Sequence, residues 1–206
     1  MQRRRKSIDA ALRSLRVESL RGDALRQLAN AAYDLPDAPR GAARRQVDAV
    51  FAALTEAARR EPDADLRREA VHALGQWYRE ARAARVLLGI VGDVACPPLI
   101  RGQAAEGLGS TMPIPPAAGA LRAEASKVLG EALRSPEAEV RFWVVYTVGQ
   151  LDLREHRAEL ERMAASDDGE AAFMWRVSLE ATDVLSFWDR GEWPSRRTGT
   201  GEIMEW

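Results

Sequence analysis

Few residues of this 206-residue sequence have the type and spacing that catalysis or metal binding requires. The two histidines, His72 and His156, are far apart, and neither has a second ligand at the spacing of helical metal sites. Glu69 lies one helical turn before His72, a spacing compatible with a general base, but a solvated surface histidine is the simpler interpretation. Cys96 precedes two prolines and has no activating neighbour, which favours a buried apolar role. We therefore predict no catalytic residue, no metal ligand and no cofactor.

Arginine residues recur along the chain, each directly after an aliphatic or aromatic residue. The three clear copies are Leu66-Arg67, Ile100-Arg101 and Val140-Arg141, which precede Gly75, Gly109 and Gly149 by the same interval. The two weaker copies are Leu25-Arg26 and Trp175-Arg176. An anion-binding row is one interpretation, but a regular spacing is also typical of residues with a structural role, and the long stem of an arginine can pack beside a core. We predict that all five arginines form a structural row.

The intervals between these arginines define a repeat of helical pairs. The spacings are 41, 34, 40 and 35 residues, and the two longer ones contain proline-rich insertions at 36–41 and 113–116. Because proline and glycine interrupt helices, the extra residues belong in loops. Between the arginine copies lie segments with helical spacing of apolar residues, followed by acidic, serine- or proline-rich turns that can cap the next helix. The pattern predicts five helical pairs and no β-strand.

The composition agrees with an all-α protein and argues against other classes. Ala, Leu, Arg and Glu dominate, and these residues favour helices. The 30 basic and 31 acidic side chains nearly cancel, whereas a protein that binds nucleic acid usually carries a positive excess. No apolar run is long enough to cross a membrane, and the basic N-terminal stretch has no apolar segment behind it. Since the one cysteine cannot form an intrachain disulfide, we predict a cytoplasmic location.

The three clear copies resemble the HEAT-repeat family, in particular the short bacterial HEAT-like repeats also seen in phycobilin lyase-type proteins. The shared motif is a turn followed by Val-Arg, two residues, Ala, and then Leu-Gly, and it matches best over 65–75, 100–109 and 139–149. The resemblance covers roughly residues 8–188 and implies a right-handed α-solenoid of about five helical pairs, with end units that cap the stack. We predict one such domain over 1–190 and a flexible or docking tail over 191–206.

The resemblance also implies that the second helix of each pair lines a concave surface. On a helical wheel that starts at Val140, three aromatic side chains fall opposite the core stripe of valines. Either a neighbouring loop, such as the proline-rich one, covers these aromatics, or they bind another protein. We predict a protein-binding concave face, whose residues over three units are Phe142, Trp143, Tyr146, Gln150, Glu69, His72, Gln76, Gln103 and Glu106.

The remaining tryptophans fall into two groups. Trp77 and Trp175 lie at core angles of their segments and are expected to pack inside the stack. Trp188 and Trp193 are expected to cover its open end. Beyond a segment rich in Gly, Ser and Thr, the chain carries a short apolar sequence that we expect to dock on this protein or on a partner, with Ile203, Met204 and Trp206 as its apolar residues.

The leading hypothesis for function is a non-enzymatic scaffold or regulator that binds a protein partner on the concave face. The alternative is a nucleic-acid-binding protein that resembles the HEAT-like DNA glycosylases. It would combine aromatic stacking with phosphate contacts from Arg3, Arg4, Arg5, Arg44, Arg45 and Arg68. A bilin lyase-type activity rests on the resemblance alone. The sign of the charge on the concave face distinguishes the first two hypotheses.

Overall fold

The computed structural model describes residues 2–32, 41–114, 119–172 and 175–193 of the chain. Nearly all of its secondary structure is helical, which confirms the predicted all-α fold. The α-helices of the described residues are α1 Gln2–Ser14, α2 Glu18–Ala32, α3 Ala42–Arg60, α4 Ala64–Gly75, α5 Ala81–Gly92, α6 Pro98–Thr111, α7 Gly119–Ala132, α8 Ala138–Gln150, α9 Arg157–Ser166 and α10 Val177–Arg190. No helix in these ranges is both long and apolar enough to cross a membrane.

The helices pack mainly against their neighbours in sequence. We call α2, α4, α6, α8 and α10 the second helices, because each is the second member of a packed pair, and we call the helices before them the first helices. Each second helix packs against the next one along the chain, and it also packs against its own partner. In the other layer, α5 packs against α7. Contacts between consecutive second helices therefore form the central part of the core.

Sequence features fix where these helices begin. Asp63 caps α4, since its carboxylate accepts hydrogen bonds from the backbone N–H groups of Asp65 and Leu66 at 3.0 and 3.1 Å. Pro98 opens α6, where the missing N–H of proline costs no hydrogen bond. Gly191 ends α10 with a φ of 78°, a left-handed conformation that glycine adopts without strain. Acidic, proline-rich and glycine-containing turns thus act as the sequence predicts.

Glycine brings α4 and α6 into direct backbone contact. A Cβ atom on Gly75 would lie 2.9 Å from the Cα atom of Gly107, and one on Gly107 would lie 2.8 Å from the Cα atom of Gly75. The next junction, between α6 and α8, contains the buried Thr147, whose hydroxyl donates a hydrogen bond of 2.6 Å to the carbonyl oxygen of Ala105. Small residues and one hydroxyl therefore set how closely the second helices approach.

The arginines of the three middle units tie each second helix to the chain that precedes it. Arg67, Arg101 and Arg141 are each the fourth residue of their helix. Their guanidinium groups donate to main-chain carbonyl oxygens, namely Ala58 for Arg67 at 2.9 Å, Val91 for Arg101 at 3.0 Å, and Ser135 and Pro136 for Arg141 at 2.9 Å. These carbonyls lie at or near the ends of first helices, where intrahelical donors run out.

Two of these arginines also reach forward to the next unit. Arg67 lies 3.3 Å from the Sγ atom of the buried Cys96. Arg141 donates two hydrogen bonds, of 2.7 and 2.8 Å, to the carboxylate of Asp167 in the turn before β1. Burial raises the pKa of Asp167, but the hydrogen bonds from Arg141 and from the N–H of Gly169 outweigh that effect, so the pKa is lowered. The Asp167 carboxylate is therefore held in its charged form.

The two end arginines occupy different positions, so the prediction of a uniform structural row was wrong there. Arg26 is the ninth residue of α2, and it forms exposed ion pairs with Glu69 at 3.4 Å and Asp23 at 3.5 Å. Arg176 precedes α10 and pairs with Glu170 at 3.3 Å. Neither side chain starts from the first turn of a helix, which is the position that brings an arginine beside the preceding chain.

A short antiparallel strand pair interrupts the helical pattern, so the prediction of a strand-free chain was also wrong. Its strands are β1 Glu170–Ala171 and β2 Trp175–Arg176, and residues 173–174 between them lie outside the described ranges. Glu139 on α8 anchors this segment, because its carboxylate accepts a hydrogen bond of 2.7 Å from the N–H of Ala172. The second helix of the last unit, α10, therefore begins at Val177, directly after the motif copy Trp175-Arg176 that the sequence suggested.

Candidate protein-binding face

The residues predicted for the concave face lie on α4, α6 and α8, except Gln76, which directly follows α4, and we call their accessible side the second-helix face. Eight of the nine are exposed or half-buried, namely Glu69, His72, Gln76, Gln103, Glu106, Trp143, Tyr146 and Gln150. Phe142 is the exception: only 3% of it is exposed, so its assignment to the surface was wrong. The helical wheel failed there because α8 packs against β1 as well as against α6 and α10.

The aromatic part of the face is a packed cluster around Trp143. The ring centroids of Trp143 and Tyr146 are 5.8 Å apart in an edge-to-face arrangement. Trp175, from β2, packs 5.5 Å from Trp143, and Phe142 lies 5.2 Å from each of these two tryptophans. The strand pair therefore covers part of this cluster, in the way that the first of the two alternatives for these aromatics assigned to a neighbouring loop. Residues 115–118 of the proline-rich loop lie outside the described part of the chain.

Trp143 and Tyr146 differ in how firmly the fold holds them. The indole N–H of Trp143 donates a hydrogen bond of 2.9 Å to Glu139, and its ring packs where a Cβ atom on Gly102 would lie 2.7 Å away. Tyr146 is half-buried, and its hydroxyl accepts a hydrogen bond of 2.6 Å from the Gln150 side chain. Trp143 therefore belongs to both the core and the face, whereas Tyr146 extends further from the core.

A polar row occupies the face on α4 and α6. The Nε2 atom of Gln103 lies 3.3 Å from Nδ1 of His72 and donates to a carboxylate oxygen of Glu106. Burial raises the pKa of Glu106, and the smaller opposing effects of His72 and Gln103 do not offset it. The row thus places an imidazole, an amide and a partly desolvated carboxyl group side by side.

A cavity of about 400 Å³ opens between α2 and α4 at the end of this row. Its floor contains the buried side chains of Ala29 and Ala73. The polar side chains around it are Arg26, Asn30, Arg68, Glu69, His72 and Gln103. Several of the predicted face residues therefore border one concave space, together with two arginines.

A second group with catalytic residue types lies on α7 and on the 3-10 turn Arg154–His156 before α9. The hydroxyl of Ser126 donates a hydrogen bond of 2.6 Å to Glu155 and lies 3.0 Å from Nε2 of His156. In a serine–histidine–acid triad the carboxylate orients the histidine, but here it binds the serine hydroxyl directly. Within the described ranges, no three His, Cys, Asp or Glu side chains are grouped closely enough to hold a metal ion.

The other tryptophans cover surfaces of the helical stack. Trp77 is half-buried and packs edge-to-face against Phe51, with centroids 4.9 Å apart. Trp188 is buried on α10, whereas Trp193 stacks on Phe187 at 4.5 Å and contacts the position of a Cβ atom on Gly149. Residues 194–206, which include the proposed docking residues Ile203, Met204 and Trp206, lie outside the described residues, and so do the side chains of Arg3, Arg4 and Arg5.

Arg21 is the residue that sequence reasoning missed in the first unit. It is the fourth residue of α2, and its Nε atom lies 2.9 Å from a carboxylate oxygen of Glu61, which ends α3 and is 6% exposed. The contact is an ion pair rather than a well-aligned hydrogen bond. Leu20-Arg21 followed by Ala24 and Leu28 also fits the repeat motif, so the signal was present in the sequence.

Comparison with known proteins informs the fold alone. No protein-family model matches this sequence, and no curated protein matches it. Among solved structures, the chain is similar to the crystal structure of an engineered protein, with a TM-score of 0.59 and 20% sequence identity over 90% of this chain and 81% of that one. At this level of identity the likeness extends to the arrangement of helices and to nothing about function, and the resemblance to HEAT repeats stays a prediction.

Proposed function

We propose that this chain is a non-enzymatic protein-binding scaffold or regulator, and that the second-helix face binds its partner. The observation that carries the proposal is the half-buried aromatic pair Trp143 and Tyr146 on the side of α8 that also carries Gln150. Tyr and Trp contribute more binding energy at protein interfaces than other residues of similar area. A polar row lies on α4 and on α6, the helix against which α8 packs, and a binding surface commonly combines an apolar centre with a polar rim.

The charges on this face favour a protein over a nucleic acid. Its carboxylates are Glu69 and Glu106, with Glu139 beside Trp143, and they outnumber the two arginines of the adjoining cavity, Arg26 and Arg68. Carboxylates at these positions would repel phosphate groups, which nucleic-acid-binding surfaces attract with a positive excess. Arg44, one of the candidate phosphate ligands, already pairs with Asp48 at 3.1 Å on α3. The nucleic-acid alternative therefore has less support, and a cytoplasmic location stays a prediction.

The arrangement of the helices is also part of this proposal. The helical pairs stack as a right-handed, HEAT-like α-solenoid, and the second helices line its concave side. Support comes from the consecutive packing of second helices and from the small residues at their junctions. Small-angle scattering tests the idea: a radius of gyration near the roughly 17 Å expected for a compact domain of this length would contradict an extended solenoid.

Tyr146→Ala is the variant that tests the binding face. Replacing Trp143 would also remove its hydrogen bond to Glu139 and its packing against Gly102, so a loss of binding there would be confounded by a loss of stability. Tyr146→Ala removes a half-buried ring and leaves those contacts in place. Tyr78→Ala is the matched control, because Tyr78 is exposed in the turn between α4 and α5.

The experiment is affinity purification from the native organism with the wild-type chain and both variants. We expect a specific partner protein to bind the wild type and Tyr78→Ala equally, and Tyr146→Ala at least about tenfold more weakly, the loss typical of one interface anchor. The thermal midpoints should remain close. A partner that binds all three chains equally, or recovery of nucleic acid in place of protein, would contradict the proposal.

A further inference from the structure

The cavity between α2 and α4 contains an arginine that the fold does not use. Arg68 is exposed, borders the cavity, and forms no ion pair with any residue that the structure describes. Its neighbour Arg67 points the other way and donates to the Ala58 carbonyl. A guanidinium carries five N–H donors in a planar fork, a geometry that matches a carboxylate. The fold therefore needs Arg67, while Arg68 is available to a ligand.

One other group at the cavity adds a free donor. Asn30 borders the cavity, is exposed and makes no hydrogen bond within the described residues, whereas the amide N–H groups of Gln103 are already directed at Glu106 and His72. The one carboxylate on the rim, Glu69, is held only by an exposed contact of 3.4 Å with Arg26. Exposed ion pairs of this kind contribute about 0–1 kcal/mol, so an incoming carboxylate can displace Glu69 from Arg26 at little cost.

We infer that this cavity binds an acidic side chain, Asp or Glu, of an extended segment of the partner protein. The inference rests on the proposed function, because it specifies the partner's chemistry at the same face. Arg68 forms the ion pair, and the amide of Asn30 supplies a neutral hydrogen bond. The buried alanines of the floor, Ala29 and Ala73, leave the space of about 400 Å³ into which the acidic side chain extends.

A single carboxylate fits this site better than a chain of phosphates. Glu69 borders the cavity, and Glu106 lies one turn beyond Gln103 on α6. A polyanion that runs along the face would meet both carboxylates, whereas one acidic residue flanked by neutral or apolar residues would not. The charges therefore select a peptide with an isolated acidic residue.

The geometry of the face also sets the spacing within that peptide. Consecutive packed helices lie about 8–10 Å apart, so the cavity beside α4 and the aromatic pair on α8 are separated by roughly 16–20 Å. An extended chain advances about 3.3 Å per residue. The acidic residue and an aromatic or aliphatic residue that contacts Tyr146 should therefore be about five or six positions apart in the partner.

The test begins with a random dodecapeptide library displayed on phage and selected against the full-length chain. We expect selected peptides to share an Asp or Glu about five or six positions from an apolar residue. For individual peptides, Arg68→Gln should weaken binding at least tenfold, and so should replacement of the peptide acid by its amide. Combining the two changes should cause no further loss, because each removes the same interaction. Arg85→Gln, at an exposed arginine of α5, is the matched control and should bind normally.

The alternative outcomes separate this inference from the proposed function. If apolar peptides are selected and their binding requires Tyr146 but not Arg68, the carboxylate site is overturned while the proposed binding face is supported. Failure to select any peptide, or peptides insensitive to both positions, would overturn both. Arg68-dependent binding of a single-stranded oligonucleotide, without peptide binding, would overturn both in favour of the nucleic-acid alternative. Thermal melting of each variant confirms that the chain remains folded.

Discussion

The middle and end units of this chain use the same residue type in opposite ways. In the middle units, Arg101 and Arg141 are the fourth residues of their helices and donate to carbonyl oxygens of the preceding chain. In the end units, Arg26 and Arg176 form exposed ion pairs with nearby carboxylates. Position relative to the start of the helix therefore decides whether an arginine supports the fold, and the local sequence around it does not.

The largest difference in the free energy of unfolding is expected between the variants Arg141→Ala and Arg176→Ala. Loss of Arg141 leaves the Asp167 side chain, only 9% exposed, without its ion-pair partner, and two carbonyl oxygens lose their donor. We expect a loss of about 3–5 kcal/mol in the free energy of unfolding, as for a buried pair that loses one partner. Arg176→Ala should cost about 0.5 kcal/mol or less. Urea unfolding followed by circular dichroism measures both, and equal losses would remove the distinction between middle and end units.

Two arginines on the same helix sharpen the comparison. Arg21→Ala leaves the buried carboxylate of Glu61 without its cation, whereas Arg26→Ala removes only exposed ion pairs. We expect a loss of about 1–3 kcal/mol for Arg21→Ala and about 0.5 kcal/mol or less for Arg26→Ala. Thermal unfolding of the two variants provides the measurement. A larger effect at Arg26 would show that spacing between copies, rather than position in the helix, identifies the structural arginine.

Two glycine substitutions compare a helix junction with an exposed helix surface without changing any charge. Gly107→Ala would place a methyl group 2.8 Å from the Cα atom of Gly75, and such overpacking typically costs about 1–3 kcal/mol. Gly89 lies on an exposed side of α5 with nothing near its missing Cβ atom, so Gly89→Ala should stabilise the helix by about 0.5–1 kcal/mol. Opposite signs in the free energy of unfolding are expected, and two stabilised variants would contradict the close contact of α4 and α6.

The smallest effect concerns two glutamates in different surroundings. Burial raises the pKa of Glu106, so the folded state favours the protonated carboxyl group. The resulting contribution to stability is fully present below the unfolded-state pKa of about 4.3 and is lost as the pH rises through the folded-state pKa. Glu106→Gln should therefore stabilise the protein at pH 7, by about 0.5 kcal/mol or less, and the gain should vanish toward pH 4. The exposed Glu131→Gln serves as control. Thermal midpoints of both variants at pH 7 and pH 4 test this prediction. A stabilisation by Glu106→Gln that increases toward pH 4 would contradict it.

The sequence predicted features that depend on local pattern and failed where packing from several elements decides. Helix content and the middle arginines followed from periodicity and turn composition. The position of the structural arginine in the first unit could not be predicted in this way, because the turn between α1 and α2 contains no proline or glycine to show where α2 begins. Phe142 was assigned to the surface because a helical wheel considers one buried side, whereas α8 is enclosed by α6, α10 and β1.

The candidate face shows the same division. Periodicity placed eight of its residues on accessible positions of three helices and the turn after α4. It could not show that His72, Gln103 and Glu106 form one network across a helix junction. The cavity that involves Arg26 and Arg68 depends on how α2 packs against α4, and that packing depends on side chains distant in sequence. Contacts between helices, unlike the faces of single helices, leave no periodic signal.

The consecutive packing of the second helices has a consequence for how the protein unfolds locally. The main contacts join helices at most two places apart in the chain, so few contacts of long sequence separation must be broken together. Loss of structure can therefore begin at one end and stop at an interior junction. The Gly75–Gly107 contact and the Thr147 hydroxyl mark such junctions, and backbone amides of α4 to α8 should exchange with deuterium more slowly than those of α1 and α10.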